Sequence, residues 1–319
     1  MNPGELEKIV EMALRAPSVA NSKPWKFRFV GNVIELYTLP DSEIPISPRL
    51  RNISVGALLH YMRLMIRNSG RQEVIHLFPR LDDPNLIAYI RMNGDHTPSE
   101  LDRMLSKIVK GTKDPRESGE EWCREKLKST LKSLESQTNT IIDHFNDLSA
   151  PETTSKLDRY VVAQKKDNKK ALSSLSEEMK DNLMEGASEL NKLCAFNNAE
   201  SINGTIQCGT EQIDPDSKSE YVLVSTDVEN SYSWISAGEA MARIHLFLKQ
   251  CGFFAMAVMP IVEDPDSRAW LAESLGSQGW PQVLLKLGRI EKIVDRPGLN
   301  LNDFMLTSST LHKTRKKTT

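Results

Sequence analysis

Apolar residues recur along this chain at two spacings, one helical and one alternating, and their order sketches a fold. Leu6, Ile9, Val10, Ala13 and Leu14 share one face of a short helix. Phe27 to Val30 and Val33 to Tyr37 read as strands. A long helical pattern then begins at Ile53-Ser54-Val55-Gly56-Ala57 and stops at Gly70, a residue suited to a left-handed C-terminal cap. Val74 to Pro79 and Leu86 to Met92 read as further strands. Trp122 to Leu148 carries a helical period through Leu127, Leu131, Leu134, Ile141 and Ile142. Leu172 to Leu193 reads as another amphipathic helix, and Cys194 to Ser219, rich in Asn, Gly, Ser and Asp, as loop. Tyr221 to Ser225, a helix from Ile235 to Gly252, Phe254 to Pro260 and Val283 to Leu287 complete the series.

The two long helical patterns are copies. At an offset of 182 residues, Ile53, Ser54, Gly56, Leu64 and Gly70 meet Ile235, Ser236, Gly238, Leu246 and Gly252, and Arg67 meets Lys249. Each copy is followed by an apolar strand ending in proline and then by an Asp-Pro pair, Asp83-Pro84 or Asp264-Pro265. Chance gives one such helix readily, but not the whole series twice. The expectation is a duplicated α+β unit packed about an internal twofold axis, imitating a homodimer. Gly56 and Gly238 permit close approach of either a partner helix or a ligand.

Composition narrows the class. The chain has 319 residues, 39% hydrophobic and 26% charged, with a formal net charge of −2, as expected of a soluble globular protein with no general pull on nucleic acid or acidic lipid. The start, Met1 to Glu5, lacks a signal-like apolar core, and the longest apolar stretch, Phe253 to Val262, is interrupted by Pro260. Cys123, Cys194, Cys208 and Cys251 lack CxxC spacing and read as free thiols in a reducing cytoplasm. The basic tail, residues 307–319, is short and carries no aromatic residue.

Familiar catalytic patterns do not occur. The chain has no Walker A loop, GxGxxG, HExxH or GxSxG. His60, His76, His96, His144, His245 and His312 have no partners at metal-ligand spacing, and His60 and His245 read as packing or surface residues of the repeated helices. Asp82-Asp83 and Glu177-Glu178 read as solvated acids. If this is an enzyme, a cofactor does the chemistry. The richest local feature is Ala16-Pro17-Ser18-Val19-Ala20-Asn21-Ser22-Lys23-Pro24-Trp25, between the first helix and first strand. Two prolines fix its path, while Ser18, Asn21, Ser22 and Lys23 offer polar groups; it serves either as a turn or as a lining for a flat polar ligand.

That segment resembles the APSxxNxQPW motif of the FMN-dependent nitroreductase family, with Lys23 in place of glutamine. The second half, Trp234 to Gly252 and Gly279 to Gly288, resembles the Acg-like branch, in which two units are fused in one polypeptide. The resemblance implies an α+β nitroreductase-like fold: a first unit at 1–109, a polar helical insert or lid at 110–219, a second unit at 220–306, and the tail. It implies FMN, NAD(P)H, and a nitroaromatic or quinone acceptor, in a cytoplasmic monomer acting as an internal dimer or a weak homodimer, with no nucleic-acid or membrane partner. Sequestration of FMN without turnover, or a scaffold that has lost flavin, stand as alternatives.

Carried over by position, Pro17, Ser18, Asn21 and Lys23 would border the ring, with Met256 of Ala255 to Met259 against it. The phosphate would fall to Lys110, Thr112 and Lys113, with Asp114 where the family has arginine and Arg116 as substitute, and to Arg289 and Arg296 after the last strand. Lysine neutralises a phosphate but lacks the fork of arginine. The loop occurs once in a duplicated chain, which implies one flavin per molecule.

Overall fold

The computed structural model describes residues 3–18, 22–40, 43, 46–111, 120–158, 219–251, 253–258, 260–263, 265–289 and 299–306. The chain is α+β, built on two four-stranded antiparallel sheets. Helix α1 (Pro3–Ala13) buries the apolar face formed by Leu6, Ile9, Val10 and Ala13. Strands β1 (Trp25–Val30) and β2 (Val33–Thr38) form a hairpin, and α2 (Pro48–Asn68) follows. Ser47 caps α2 by accepting the Leu50 N–H at 3.3 Å, and Pro48 occupies its first turn, where a missing N–H costs nothing. Strands β3 (Arg71–Leu77) and β4 (Leu86–Asp95) complete sheet 1 in the order β1-β2-β4-β3. Helix α3 (Glu100–Lys110) closes this half between a Ser99–Asp102 capping box and a left-handed Gly111.

The second half repeats that order. Helix α4 (Glu120–Thr138) leads into β5 (Ile141–Asn146), and a helix at 151–158, α5, lies beyond it. Strand β6 (Glu220–Thr226), helix α6 (Ser231–Gln250) and strand β7 (Phe253–Ala257) follow. After them come α7 (Pro260–Glu263), α8 (Pro265–Leu275) and β8 (Trp280–Arg289). Sheet 2 has the order β5-β6-β8-β7, matching sheet 1 strand for strand. The irregularity between Leu36 and Tyr37, in the pairing of β2 with β4, recurs between Val224 and Ser225 in the pairing of β6 with β8.

Helices α2 and α6 cross between the sheets, and the crossing needs both glycines. A Cβ on Gly56 would lie 2.1 Å from the Ile235 carbonyl oxygen, and one on Gly238 would lie 1.9 Å from that of Ile53. The sequence left helix or ligand open at these positions; the neighbour is a helix in both cases. Arg63 Nε donates to Glu239 across the crossing at 3.0 Å, and buried Glu73 accepts from Arg67 Nε at 3.0 Å. The C-terminal residues return to sheet 1. Met305 bridges Phe27 in parallel, and the Leu306 N–H donates to the Phe27 carbonyl at 2.8 Å.

Two expectations change. Ile141 and Ile142 do not continue the helix of Trp122 to Leu148; they open β5. The helix stops at Thr138, Asn139 turns the backbone at φ 51°, and the β-branched run Thr140-Ile141-Ile142 suits a strand. Part of the stretch read as an insert therefore belongs to sheet 2. The helix read at Leu172 to Leu193, the loop read from Cys194 up to residue 218, and the tail lie outside the described residues. Residues 159–218 depart from and return to one place: the Ser219 hydroxyl donates to Asp158 at 2.6 Å, and the Ser219 N–H donates to Asp147 at 2.8 Å.

Candidate functional site

The loop after α1 is held from several sides. Buried Ser18 accepts the Lys23 N–H through Oγ at 3.0 Å, closing the loop on itself. Lys23 takes a left-handed φ of 45°, and its ammonium turns back to donate to the Leu14 carbonyl at 3.2 Å. A cation at the end of α1 is favourable there, because the last carbonyls of a helix lack partners. Lys23 Nζ also lies 5.7 Å from the centre of the Trp25 ring. The Pro24 carbonyl accepts both the Leu39 N–H at 3.0 Å and the Thr38 hydroxyl at 3.1 Å, pinning the loop to the end of β2.

Two polar atoms stay unmet in this frame. Ser22 Oγ and Trp25 Nε1 are buried with no hydrogen-bond partner among the described residues. Buried polar atoms are rarely left so, and these two sit beside the ordered backbone of a polar loop. They fit the edge of a heterocycle that both accepts and donates, as a flavin pyrimidine does. Pro17 is half-buried, and Asn21 lies outside the described residues.

Arg15 Nη1 donates to the Val109 carbonyl at 2.9 Å, which draws the end of α3 to the start of the loop. Lys110 is exposed at that end; Thr112, Lys113, Asp114 and Arg116 lie outside the described residues. The loop and the Lys110 segment, far apart in sequence, are thereby neighbours. Met256 lies in β7 opposite Lys286, and Arg289 ends β8 opposite Phe253. The described contacts do not join either to the loop, and Arg296 is outside them.

The open end of sheet 1 faces the N-terminus of α6. Asn230 caps that helix, accepting the Ser233 N–H at 3.0 Å, and the half-exposed Tyr232 ring meets Phe78 edge-on at 4.8 Å. Phe78 takes a φ of 47°. Lys23 and Phe78 thus place two of the three non-glycine residues of positive φ among the described residues at the same end of sheet 1. Such backbone costs energy and concentrates at functional sites. The two hollows that stand out among the described residues lie elsewhere. One, of only about 10 Å³, is lined by Leu127, Phe247, Cys251 and Phe253, and one of about 230 Å³ by Lys156, Asp266 and Trp270.

Local sequence signals missed two buried polar clusters. Arg49 reaches from α2 into sheet 2, where Nη1 donates to the Gln282 carbonyl and to Gln282 Oε1, both at 3.0 Å. Its Nη2 donates to the Val262 carbonyl at 2.9 Å and pairs with Glu263. Burial pulls the Arg49 pKa below the usual guanidinium range, and Glu263 works against that. Asp158 pairs with Lys286 and accepts the Tyr221 and Ser219 hydroxyls, each at 2.6 Å. Burial opposes its ionisation, but these bonds prevail and hold its carboxyl below the usual range, while burial pushes Tyr221 upward. Neither has a local signal: Arg49 meets acceptors more than 200 residues away, and the Asp158 cluster joins segments more than 60 residues apart.

His60 Nε2 is buried without a partner among the described residues. Burial, with Arg243, Arg63 and Arg67 nearby, pushes its pKa well down, so the ring is neutral. Among the described residues, no group of three metal-ligating side chains assembles, and no helix is long and apolar enough to cross a membrane.

No family model matches the chain. The protein of Mycobacterium tuberculosis named "Putative NAD(P)H nitroreductase Rv3131" is 26% identical over 117 residues, which span 36% of this chain and only 34% of that relative. A second, named "Putative NAD(P)H nitroreductase acg" in the same organism, is 22% identical over 306 residues, 92% of this chain and 91% of the relative. The likeness thus runs almost end to end. What the chain is similar to is a protein named as a nitroreductase. The α+β architecture with antiparallel sheets is compatible with a nitroreductase-like fold.

Proposed function

We propose that this chain is a nitroreductase-family, FMN-dependent NAD(P)H oxidoreductase that passes electrons to a nitroaromatic or quinone, and that its two halves stand in for the two subunits of a dimer. One observation carries the reading. Ser22 Oγ and Trp25 Nε1 are buried and without a hydrogen-bond partner among the described residues, at the same end of sheet 1 where Phe78 meets Tyr232 from the other half of the chain. FMN would supply the hydride chemistry. The protein has the remaining tasks: Pro17, Ser18, Asn21 and Ser22 position the ring edge, and Phe78 and Tyr232 limit access to one side. Lys110, Thr112 and Lys113 neutralise the phosphate, with Arg289 and Arg296 as further cations from the second half; Met256 belongs to the ring wall. Lys23 acts by fixing the loop, since its ammonium is committed to Leu14.

The purified protein, reconstituted with FMN and desalted, is expected to retain flavin absorbance. NADH or NADPH should bleach it, and a nitroaromatic or quinone should restore it. A protein that retains no flavin ends the proposal. Retained flavin that dithionite bleaches but neither nucleotide does would assign sequestration instead. The lysines and Asp114 where the family has arginine favour the remaining reading, a scaffold that has lost flavin.

A further inference from the structure

The contact between the two halves carries a charged group beside its glycine crossing. Beyond Gly56, α2 presents His60, Arg63 and Arg67 at helical spacings of three and four, which place them on one side of the helix. From the second half, α6 brings Glu239 and Arg243, one turn apart. Glu73 on β3 and Asp102 on α3 complete the group, with His96 Nε2 3.8 Å from Asp102. Each carboxylate is already engaged. Glu239 accepts from Arg63 Nε at 3.0 Å, across the two halves. Glu73 is buried and accepts from Arg67 Nε at 3.0 Å and from Arg63 Nη1 at 3.4 Å. Asp102 Oδ2 accepts the Ser99 N–H at 3.0 Å and the Ser99 hydroxyl at 2.7 Å.

His60 shares none of these bonds. Its Nε2 is buried without a partner among the described residues, although the residue as a whole is only half-buried and so open to protons from solvent. Burial, with the charges of Arg243, Arg63 and Arg67, holds the imidazole pKa well below its ordinary value. A proton on the ring adds one more cation beside three arginines and finds every carboxylate of the group committed elsewhere. The helix crossing itself does not need this arrangement. At the offset of 182, His60, Glu73 and Glu239 correspond to Ala242, Ala255 and Ala57, so the related side of the same crossing has alanine at all three places.

We propose that His60 is an acid-sensitive fastening between the halves: protonation of its ring loosens the contact of α2 with α6. An unfolded imidazole takes up its proton near about pH 6.5, whereas the folded ring resists it. Unfolding therefore binds a proton below that pH, and stability present at neutral pH is lost as pH falls through the unfolded value. One such group raises the unfolding constant by up to about tenfold per pH unit until the folded ring is charged too. Urea unfolding at about pH 7 and about pH 5 reads this in the wild type, in His60→Gln and in Arg243→Gln. Between the two conditions the wild-type constant should rise at least about tenfold more than that of His60→Gln, since the carboxylates and the other histidines are common to both. Arg243→Gln takes one cation from around the ring and should rise less than the wild type. In the folded wild type, the His60 ring nitrogens should give the NMR shifts of a neutral imidazole at about pH 6. Equal rises in the wild type and both variants, or a charged His60 in the folded protein at that pH, overturn the proposal. If His60→Gln does not fold, the Arg243→Gln comparison and the ring shifts decide it. None of these readouts depends on the flavin reading.

Discussion

A single added carbon separates a working helix crossing from a broken one in this molecule. At Gly238 the Cβ of an alanine would sit 1.9 Å from the Ile53 carbonyl oxygen, with the Ala57 nitrogen 3.0 Å away. The neighbours are backbone, so no side-chain rotation relieves the clash; the helices must separate. Gly238→Ala is expected to cost about 2–4 kcal/mol in urea unfolding, despite the better helix propensity of alanine. A loss under about 0.5 kcal/mol, the usual range for an uninvolved surface site, would mean that the crossing is looser than this. The sequence showed both glycines at equivalent places in a repeated helix. It could not show which atoms faced them, because Ile53 and Gly238 are 185 positions apart. Arg49 is the harder case: its fork is matched by Gln282, Val262 and Glu263, and no local pattern links an arginine in a first helical turn to acceptors more than 200 residues away.

Among elements, long and strongly periodic ones were legible, and the junction between α4 and β5 was not. Leu127, Leu131 and Leu134 do share a buried face, and Ile141 falls at the next helical spacing by coincidence. The left-handed turn at Asn139 carries only a weak sequence signal, so the pattern ran past it. Placing β5 in sheet 2 makes α4 and β5 the counterparts of α1 and β1, and it moves the extra residues into one hairpin. Where Gly31 and Asn32 connect β1 to β2, the β5–β6 connection runs from residue 147 to 219. Its stretch 159–218 is flanked by Asp158 and Ser219, which are bonded to each other at 2.6 Å. Replacing those 60 residues with about six Gly and Ser residues should leave a folded protein. The shorter connection should add up to about 2 kcal/mol, from the logarithmic cost of loop closure. Loss of the cooperative melting transition would show instead that 159–218 supplies core contacts. Flavin retention and NAD(P)H bleaching in the same shortened protein would report whether the segment serves the site.

At the scale of the whole molecule, the two halves are more interdependent than adjacent domains usually are. At the contact of α2 with α6, Ile53 and Ala57 meet Gly238 and Ile235 meets Gly56, all buried, where an isolated half would expose an apolar face to water. Arg49 from the first half satisfies carbonyls in the second, and residues 299–306 from the end of the chain lie along β1. Phe78, after β3, belongs to the first half, and Tyr232, which it meets edge-on, to the second. The expectation is that the halves depend on each other as partners in an obligate association do. Opening the chain within 112–119, between α3 and α4, tests this directly. Residues 1–115 and 116–319 expressed as separate polypeptides should co-purify at one to one and melt in a single transition, while residues 1–115 alone should aggregate or stay unfolded. The reassembled pair should retain flavin if the intact chain does, because the end of sheet 1 keeps its opposing helix. A first half that is monomeric and melts cooperatively by itself would refute the interdependence, and with it the view that the second half completes the site.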